Sequence, residues 1–167
     1  HAKYVAVYEQ PFWREQGLSG EARSLLGPLG EIHDASMPGG RAALFGFFGV
    51  PAQTRQRAAD AALRQQCRAQ FARLFGPRAA TPLADTLKDW AQDPCTATTD
   101  DWYDGGQHGH APAGSPSSGP WQGCLTGIAS EWSPQFPGYL AGAVEAAQRG
   151  VQDVLRRAPP LPLESRS

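Results

Sequence analysis

Apolar and polar positions divide the chain into several short patterned segments and one long unpatterned stretch. It opens almost directly on an apolar-alternating run, KYVAVY at residues 3–8, rich in Val, Tyr and Ala. This predicts a β-strand that ends at Gln10–Pro11. Phe12–Trp13 is an apolar pair set among turn residues. Glu21–Leu26 and Glu31–Asp34 predict two short strands around the turn signals Gly27–Pro28 and Gly30. After a second turn at Met37–Gly40, Ala42–Val50 is nearly continuous in apolar residues, and its two internal glycines favour a strand over a helix.

Pro51 to Phe75 predicts a helix, with Leu63, Cys67, Phe71 and Leu74 on one face and Arg64, Arg68 and Arg73 on the other. Pro51 suits a first helical turn and Gly76–Pro77 stops the helix. Leu83–Trp90 predicts a further strand, and Leu125–Ala129 another. Gly138–Arg157 predicts the second long helix, buried along Leu140, Val144, Ala147, Val151 and Val154, with Arg156–Arg157 placed favourably at its carboxyl end. Between them, residues 91–123 are turn-rich, and a loop of that length is often functional. The Pro-rich tail, residues 158–167, is expected to be disordered.

Composition narrows the function classes. Fifteen Lys and Arg stand against sixteen Asp and Glu, so no charge excess favours nucleic acid or an anionic membrane surface. No apolar run reaches the roughly 18 residues of a membrane span. Nineteen Gly and fifteen Pro predict many turns, while five Trp, four Tyr and seven Phe exclude a disordered chain. Cys67, Cys95 and Cys124 are odd in number, far apart and without zinc spacing. They are expected to be reduced thiols in a cytoplasmic protein. The only Met is Met37, and the start lacks a usual approach to its first strand. The chain is expected to be a piece of a longer protein or a processed subunit.

Three blocks carry a resemblance. They are K-x-V-x-V-x-x-x-P-F-W-R at Lys3–Arg14, D-W-A-Q-D-P at Asp89–Pro94 followed by Gly105–Gly106, and A-S-E at Ala129–Glu131 with P-G-Y-L-x-G-A-V-E-A at Pro137–Ala146. Together they resemble the carboxyl-terminal portion of the flavin-containing amine oxidases, the monoamine oxidase family, from Lys3 to Leu155.

The resemblance implies an α/β fold of mixed type. Residues 1–90 would supply part of a substrate-binding domain, a mixed sheet with a helix against it. Residues 91–157 would supply the last strand and helix of a Rossmann-like FAD-binding domain. Such a fragment would leave apolar faces uncovered. The resemblance also assigns roles. Lys3 matches the lysine that holds a water beside flavin N5, where a cation stabilises negative charge as O₂ is reduced. Trp90, Gly105 and Gly106 match residues against the flavin ring; glycine lets backbone approach it closely. Ser130 and Glu131 match the strand-end signature near the ribityl and pyrophosphate. Tyr139 matches a tyrosine whose ring faces the substrate amine, and Gly138 opens a helix whose N–H groups would face the flavin's carbonyl edge.

Where the animal monoamine oxidases carry the flavin-bonded cysteine and a cage tyrosine, this chain has Gln107 and His108. FAD is therefore expected to be held non-covalently, with His108 supplying a smaller, titratable ring in the cage. No metal site is expected at Gln107–His110. Plainer alternatives stand beside each role: a solvated strand lysine, a core tryptophan, a surface turn, a helix cap with a packed tyrosine.

No G-x-G-x-x-G occurs in the chain. The implied partners are therefore a missing amino-terminal FAD-binding half or a separate subunit, together with an amine and O₂; a dimer is allowed. The implied reaction oxidises an amine to an imine, hydrolysed to an aldehyde, with O₂ reduced to H₂O₂. The alternatives are an L-amino-acid or polyamine oxidase, or a non-catalytic fragment that packs on a FAD-binding partner. An amino-acid oxidase needs a cation for the substrate carboxylate, for which Arg14, Arg23 and Arg41 are available.

Overall fold

The first strand, β1 (Ala2–Tyr8), alternates as its sequence predicts: Ala2, Tyr4, Ala6 and Tyr8 are buried, while Lys3, Val5 and Val7 point to the opposite face. The structure is a computed structural model that describes residues 1–99, 102 and 113–157. The chain divides into two units, His1–Gly106 and Gln107–Ser167.

In the first unit β1 is an inner strand. It pairs antiparallel with β4 (Ala42–Phe48) on one side and β5 (Ala84–Asp89) on the other. β3 (Leu29–Asp34) adds to β4, and the two-residue β2 (Ala22–Arg23) adds to β3, giving the order β2-β3-β4-β1-β5. Every hydrogen-bonded pair is antiparallel, whereas the resemblance implies a mixed sheet. β4 and β5 both oppose β1, so they run the same way without being neighbours, and helices join them across β1. The expected strand at Glu21–Leu26 shrinks to β2 because Ser24 turns the chain, its Oγ donating to the Leu26 carbonyl at 2.8 Å.

The expected helix over Pro51–Phe75 is broken. A single turn, α2 (Ala52–Arg55), is separated from α3 (Asp60–Phe75) by an extended Ala59. The break lets Arg55 turn inward while α3 lays Leu63, Cys67, Phe71 and Phe75 against the sheet. Tyr4 meets Phe71 at 5.6 Å between ring centres, and Tyr8 meets Phe12 edge-on at 5.3 Å. Phe12 and Trp13 belong to α1 (Phe12–Glu15), a single helical turn, and both are buried. Burial pushes the Cys67 thiol up to about 12, so it is inert packing.

Arg64 and Arg68 do not simply face solvent. Arg68 Nε donates to Asp85 Oδ2 at 2.7 Å, Arg64 Nη1 to Oδ1 at 3.2 Å, and Tyr4 Oη to Oδ2 at 2.6 Å. One carboxylate thus ties α3 to β1 and β5. Led by the Arg68 hydrogen bond, these partners hold Asp85 down at about 2 against the opposing effect of burial.

The second unit centres on α4 (Leu140–Arg157) and a single turn at Ser130–Trp132. The stripe expected to be buried is the exposed one: Leu140 is 89%, Val144 58% and Val151 59% accessible. The buried positions are Gly142, Ala146 and Gly150. They pack inside the unit because its short turns come close to the helix; a Cβ at Gly142 would lie 2.0 Å from the Phe136 carbonyl oxygen. The larger side chains lie on the side that nothing in the described unit covers. The strand expected at Leu125–Ala129 is absent as well, since a strand needs a neighbour to receive its hydrogen bonds; Gly127 N–H instead donates to the Gly114 carbonyl at 2.8 Å. Among the described residues no helix is long and apolar enough to cross a membrane.

Asp85 makes the fold sensitive to acid. Its pKa lies below the unfolded value of 3.8, so its stabilisation is present above that pH and is lost as the pH falls from about 4 to about 2. Replacing Asp85 by Asn should cost about 1–2 kcal/mol at pH 7, allowing for the partial exposure of Arg68, and should flatten the pH dependence across that window. Urea unfolding followed between pH 2 and pH 7 checks both.

Candidate functional site

With α3 on the Tyr4 face, the opposite face of the sheet is left to Lys3, Phe45, Phe47, His33 and Lys88. Phe45 and Phe47 meet edge-on at 4.7 Å, and His33 stacks on Phe45 at 6.0 Å. Lys3 Nζ lies 5.3 Å from the Phe47 ring centre and 5.8 Å from that of Phe45. Lys3 has no carboxylate in ion-pair range among the described residues, while Lys88 and most arginines do.

The pairing of β1 with β5 brings Trp90 to the same end of the sheet. Ala2 is opposite Asp89, and Trp90 N–H donates to the His1 carbonyl at 3.0 Å. Trp90 opens a single turn, Trp90–Gln92, and keeps 42% of its surface exposed. The turn is held from beneath. Arg55 clasps Asp89 with two hydrogen bonds of 2.7 Å, and both side chains are only 5% exposed. Asp89 Oδ1 also accepts from Ala91 N–H at 3.1 Å, capping the turn that presents Trp90. Burial pushes the Asp89 carboxyl up, but Arg55 outweighs it and holds the group below its usual range. Trp102 Nε1–H, donating to the Ala91 carbonyl at 2.9 Å, ties the following segment to the same place.

The second unit holds another set. Ser130 and Glu131 lie in the Ser130–Trp132 turn, with Glu131 exposed. The Gly138 N–H donates back to the Ser130 carbonyl at 3.3 Å, and its φ of +79° is a conformation that favours glycine. Tyr139 follows, exposed, and its carbonyl accepts from Ala143 N–H at 3.1 Å as α4 begins. The expected contacts at Gly105, Gly106, Gln107 and His108 lie outside the described residues, as does the tail.

The structure thus joins Lys3 and Trp90 in one unit and groups Ser130, Glu131, Gly138 and Tyr139 in the other. Sequence reasoning missed the Arg55–Asp89 clasp, whose partners are 34 residues apart. It also missed the Phe45–Phe47–His33 group, although alternation within AALFGFFGV was a usable signal.

Residues 2–155 match the model of the flavin containing amine oxidoreductases, and the chain belongs to that family. It is 29% identical to the probable flavin-containing monoamine oxidase A of Dictyostelium discoideum, over 91% of this chain and 33% of that protein. It is 32% identical to the putative flavin-containing monoamine oxidase AofH of Mycobacterium tuberculosis, over 92% of this chain and 33% of that one. Among solved structures, a putrescine oxidase double mutant redesigned in cofactor binding superposes with a TM-score of 0.75 at 25% identity, covering 93% of this chain and 35% of that one. Cyclohexylamine oxidase from Brevibacterium oxydans superposes at 0.70 with 26% identity, covering 93% and 35%. The chain therefore spans about a third of the length of the relatives it matches.

The family's cofactor is FAD. The residues described here fit a flat, electron-accepting ring. Within the described residues of the first unit, an ammonium with no carboxylate in ion-pair range and a half-exposed indole stand at one end of an aromatic sheet face.

Removing the charge of Arg55 would leave Asp89 buried without its cation. Arg55→Met should destabilise the fold by about 3–5 kcal/mol, and Arg55→Met with Asp89→Leu should recover much of that. Chemical denaturation of the two variants measures it.

Proposed function

We propose that this chain is the carboxyl-terminal part of a FAD-dependent amine oxidase. The net reaction is RCH₂NH₂ + O₂ + H₂O → RCHO + NH₃ + H₂O₂. The supporting observation is Lys3, which stands on the open face of β1, in the block that resembles the family's lysine strand, with no carboxylate in ion-pair range among the described residues. Held beside Lys3 and Trp90, FAD would supply the two-electron acceptor for a hydride equivalent from the amine α-carbon and the donor to O₂.

The chain's own residues position and polarise. Lys3 holds a water and a positive charge where negative charge develops during O₂ reduction. Trp90 backs the cofactor ring from the strand end that Arg55 and Asp89 fix. In the second unit the amino-terminal end of α4, entered through Gly138, favours negative charge. Ser130 and Glu131 serve the ribityl and pyrophosphate side, and Tyr139 offers its ring face to the amine. FAD is held non-covalently, and the Gln107–His108 pair takes the place of the bonded cysteine and cage tyrosine.

An amine rather than an amino acid is favoured as substrate. Each arginine considered for a carboxylate clamp already faces a carboxylate: Arg14 with Asp34 at 2.7 Å, Arg23 with Glu31 at 3.0 Å and Arg41 with Glu9 at 3.7 Å. The uncovered stripe of α4 and the absence of G-x-G-x-x-G support a missing FAD-binding portion.

Two measurements test this. The chain purified alone should be colourless after incubation with FAD; stoichiometric yellow protein would refute its dependence on a further portion. In the FAD-loaded oxidase, Lys3→Met should slow reoxidation by O₂ on the order of 10- to 100-fold and change amine-driven reduction far less. Stopped-flow absorbance of the two half-reactions separates them, and an unchanged oxidative step would count against the role of Lys3.

A further inference from the structure

Among the fifteen cationic side chains of the sequence only Lys3 and Lys88 are lysines. They are direct cross-strand partners on the open sheet face, and Phe47 is the partner of Lys3 on its other side. One row therefore runs Phe47, Lys3, Lys88 across β4, β1 and β5. Like charges placed directly opposite destabilise an antiparallel pair, and here the two ammonium groups have different neighbours. Lys3 Nζ stands by the Phe45 and Phe47 rings. Lys88 Nζ donates to Asp93 Oδ2 at 2.6 Å and lies 4.6 Å from the ring centre of Trp90. Asp93 is itself well fixed. Its Oδ1 accepts from Cys95 N–H at 3.0 Å and Thr96 Oγ1 at 3.2 Å, and its own N–H donates to the Trp90 carbonyl at 3.1 Å. The carboxyl of Asp93 lies below its usual range, with Lys88 the leading cause.

Resting on the reading of Lys3 and Trp90 as flavin-side residues, we propose that Lys88 is a positioning residue for both. Clamped by Asp93, it holds the Trp90 indole through a cation–π contact and keeps the Lys3 ammonium turned toward Phe45 and Phe47. Because Asp93 neutralises Lys88, Lys3 remains the cation of the row whose charge is free for the reaction. An arginine at position 88 can keep both the ion pair and the stacking on Trp90, whereas methionine keeps neither.

The experiment uses the FAD-loaded protein and two readouts. The first is ¹³C NMR after reductive methylation with labelled formaldehyde, which preserves lysine charge; Lys3→Arg and Lys88→Arg assign the two signals. The Lys88 signal should lie upfield through the ring current of Trp90, return to the free-lysine position in Trp90→Leu, and move in Asp93→Asn. The second is the pair of half-reactions. Lys88→Met should slow the O₂ step about 2- to 5-fold, the rate equivalent of one exposed cation–π contact. Lys88→Arg should restore it. A Lys88 signal at the free-lysine position overturns the proposal. So does a Lys88→Met protein with a normal O₂ step where Lys3→Met slows it. If Lys3→Met leaves the O₂ step unchanged while the Lys88 signal still follows Trp90, the reading of Lys3 falls and the clamp on Trp90 stands.

Discussion

The two-residue period of β1 is the constraint on which the first unit depends. Its even positions bury Tyr4 against α3 and Tyr8 against α1, so its odd positions must emerge on the other face. A slip of one residue would drive Lys3 into the aromatic core and expose two tyrosines. Because β1 is paired on both sides, its register also determines its neighbours: Phe47 from β4 and Lys88 from β5. The core and the candidate site are therefore two faces of one decision about strand pairing.

Ion pairs anchor that register where apolar packing alone could not. Asp85 gathers Tyr4, Arg64 and Arg68 at one end of β5, and Asp89 takes Arg55 at the other. Hydrophobic contacts tolerate sliding, whereas a bidentate arginine–carboxylate pair has a single geometry. The strand is thus pinned at both ends on its buried side, which keeps Lys88 and Trp90 in place on its open side. The helix is also interrupted just after Arg55, the last residue of α2, before α3 begins at Asp60.

The second unit shows the opposite situation. Its helix turns small residues, Gly142, Ala146 and Gly150, toward its own turns and leaves its larger apolar residues outside. An amphipathic stripe in sequence marks a face that will be covered, but not by what. In this chain, about a third the length of its relatives, the cover is not supplied by the described residues of the same unit. The missing strand at Leu125–Ala129 has the same cause, because strand formation is a property of a pair.

Alternation in KYVAVY, the apolar run AALFGFFGV as a strand, the spacing of Leu63, Cys67 and Phe71, and the blocks at Lys3–Arg14 and Pro137–Ala146 were legible in the sequence alone. By itself the sequence determined the faces of β1 and α3 and the family, and the family resemblance suggested the roles proposed for Lys3, Trp90 and Tyr139. The faces rest on local periodicity and the family on residue identity at fixed spacing, both of which are contained in a linear string. Only the tertiary structure decided that Arg55 closes on Asp89, that Lys88 stands opposite Lys3, and that the valine stripe of α4 is uncovered. Those outcomes depend on which distant segments meet, and the free energy of such meetings belongs to pairs of residues that local pattern does not relate.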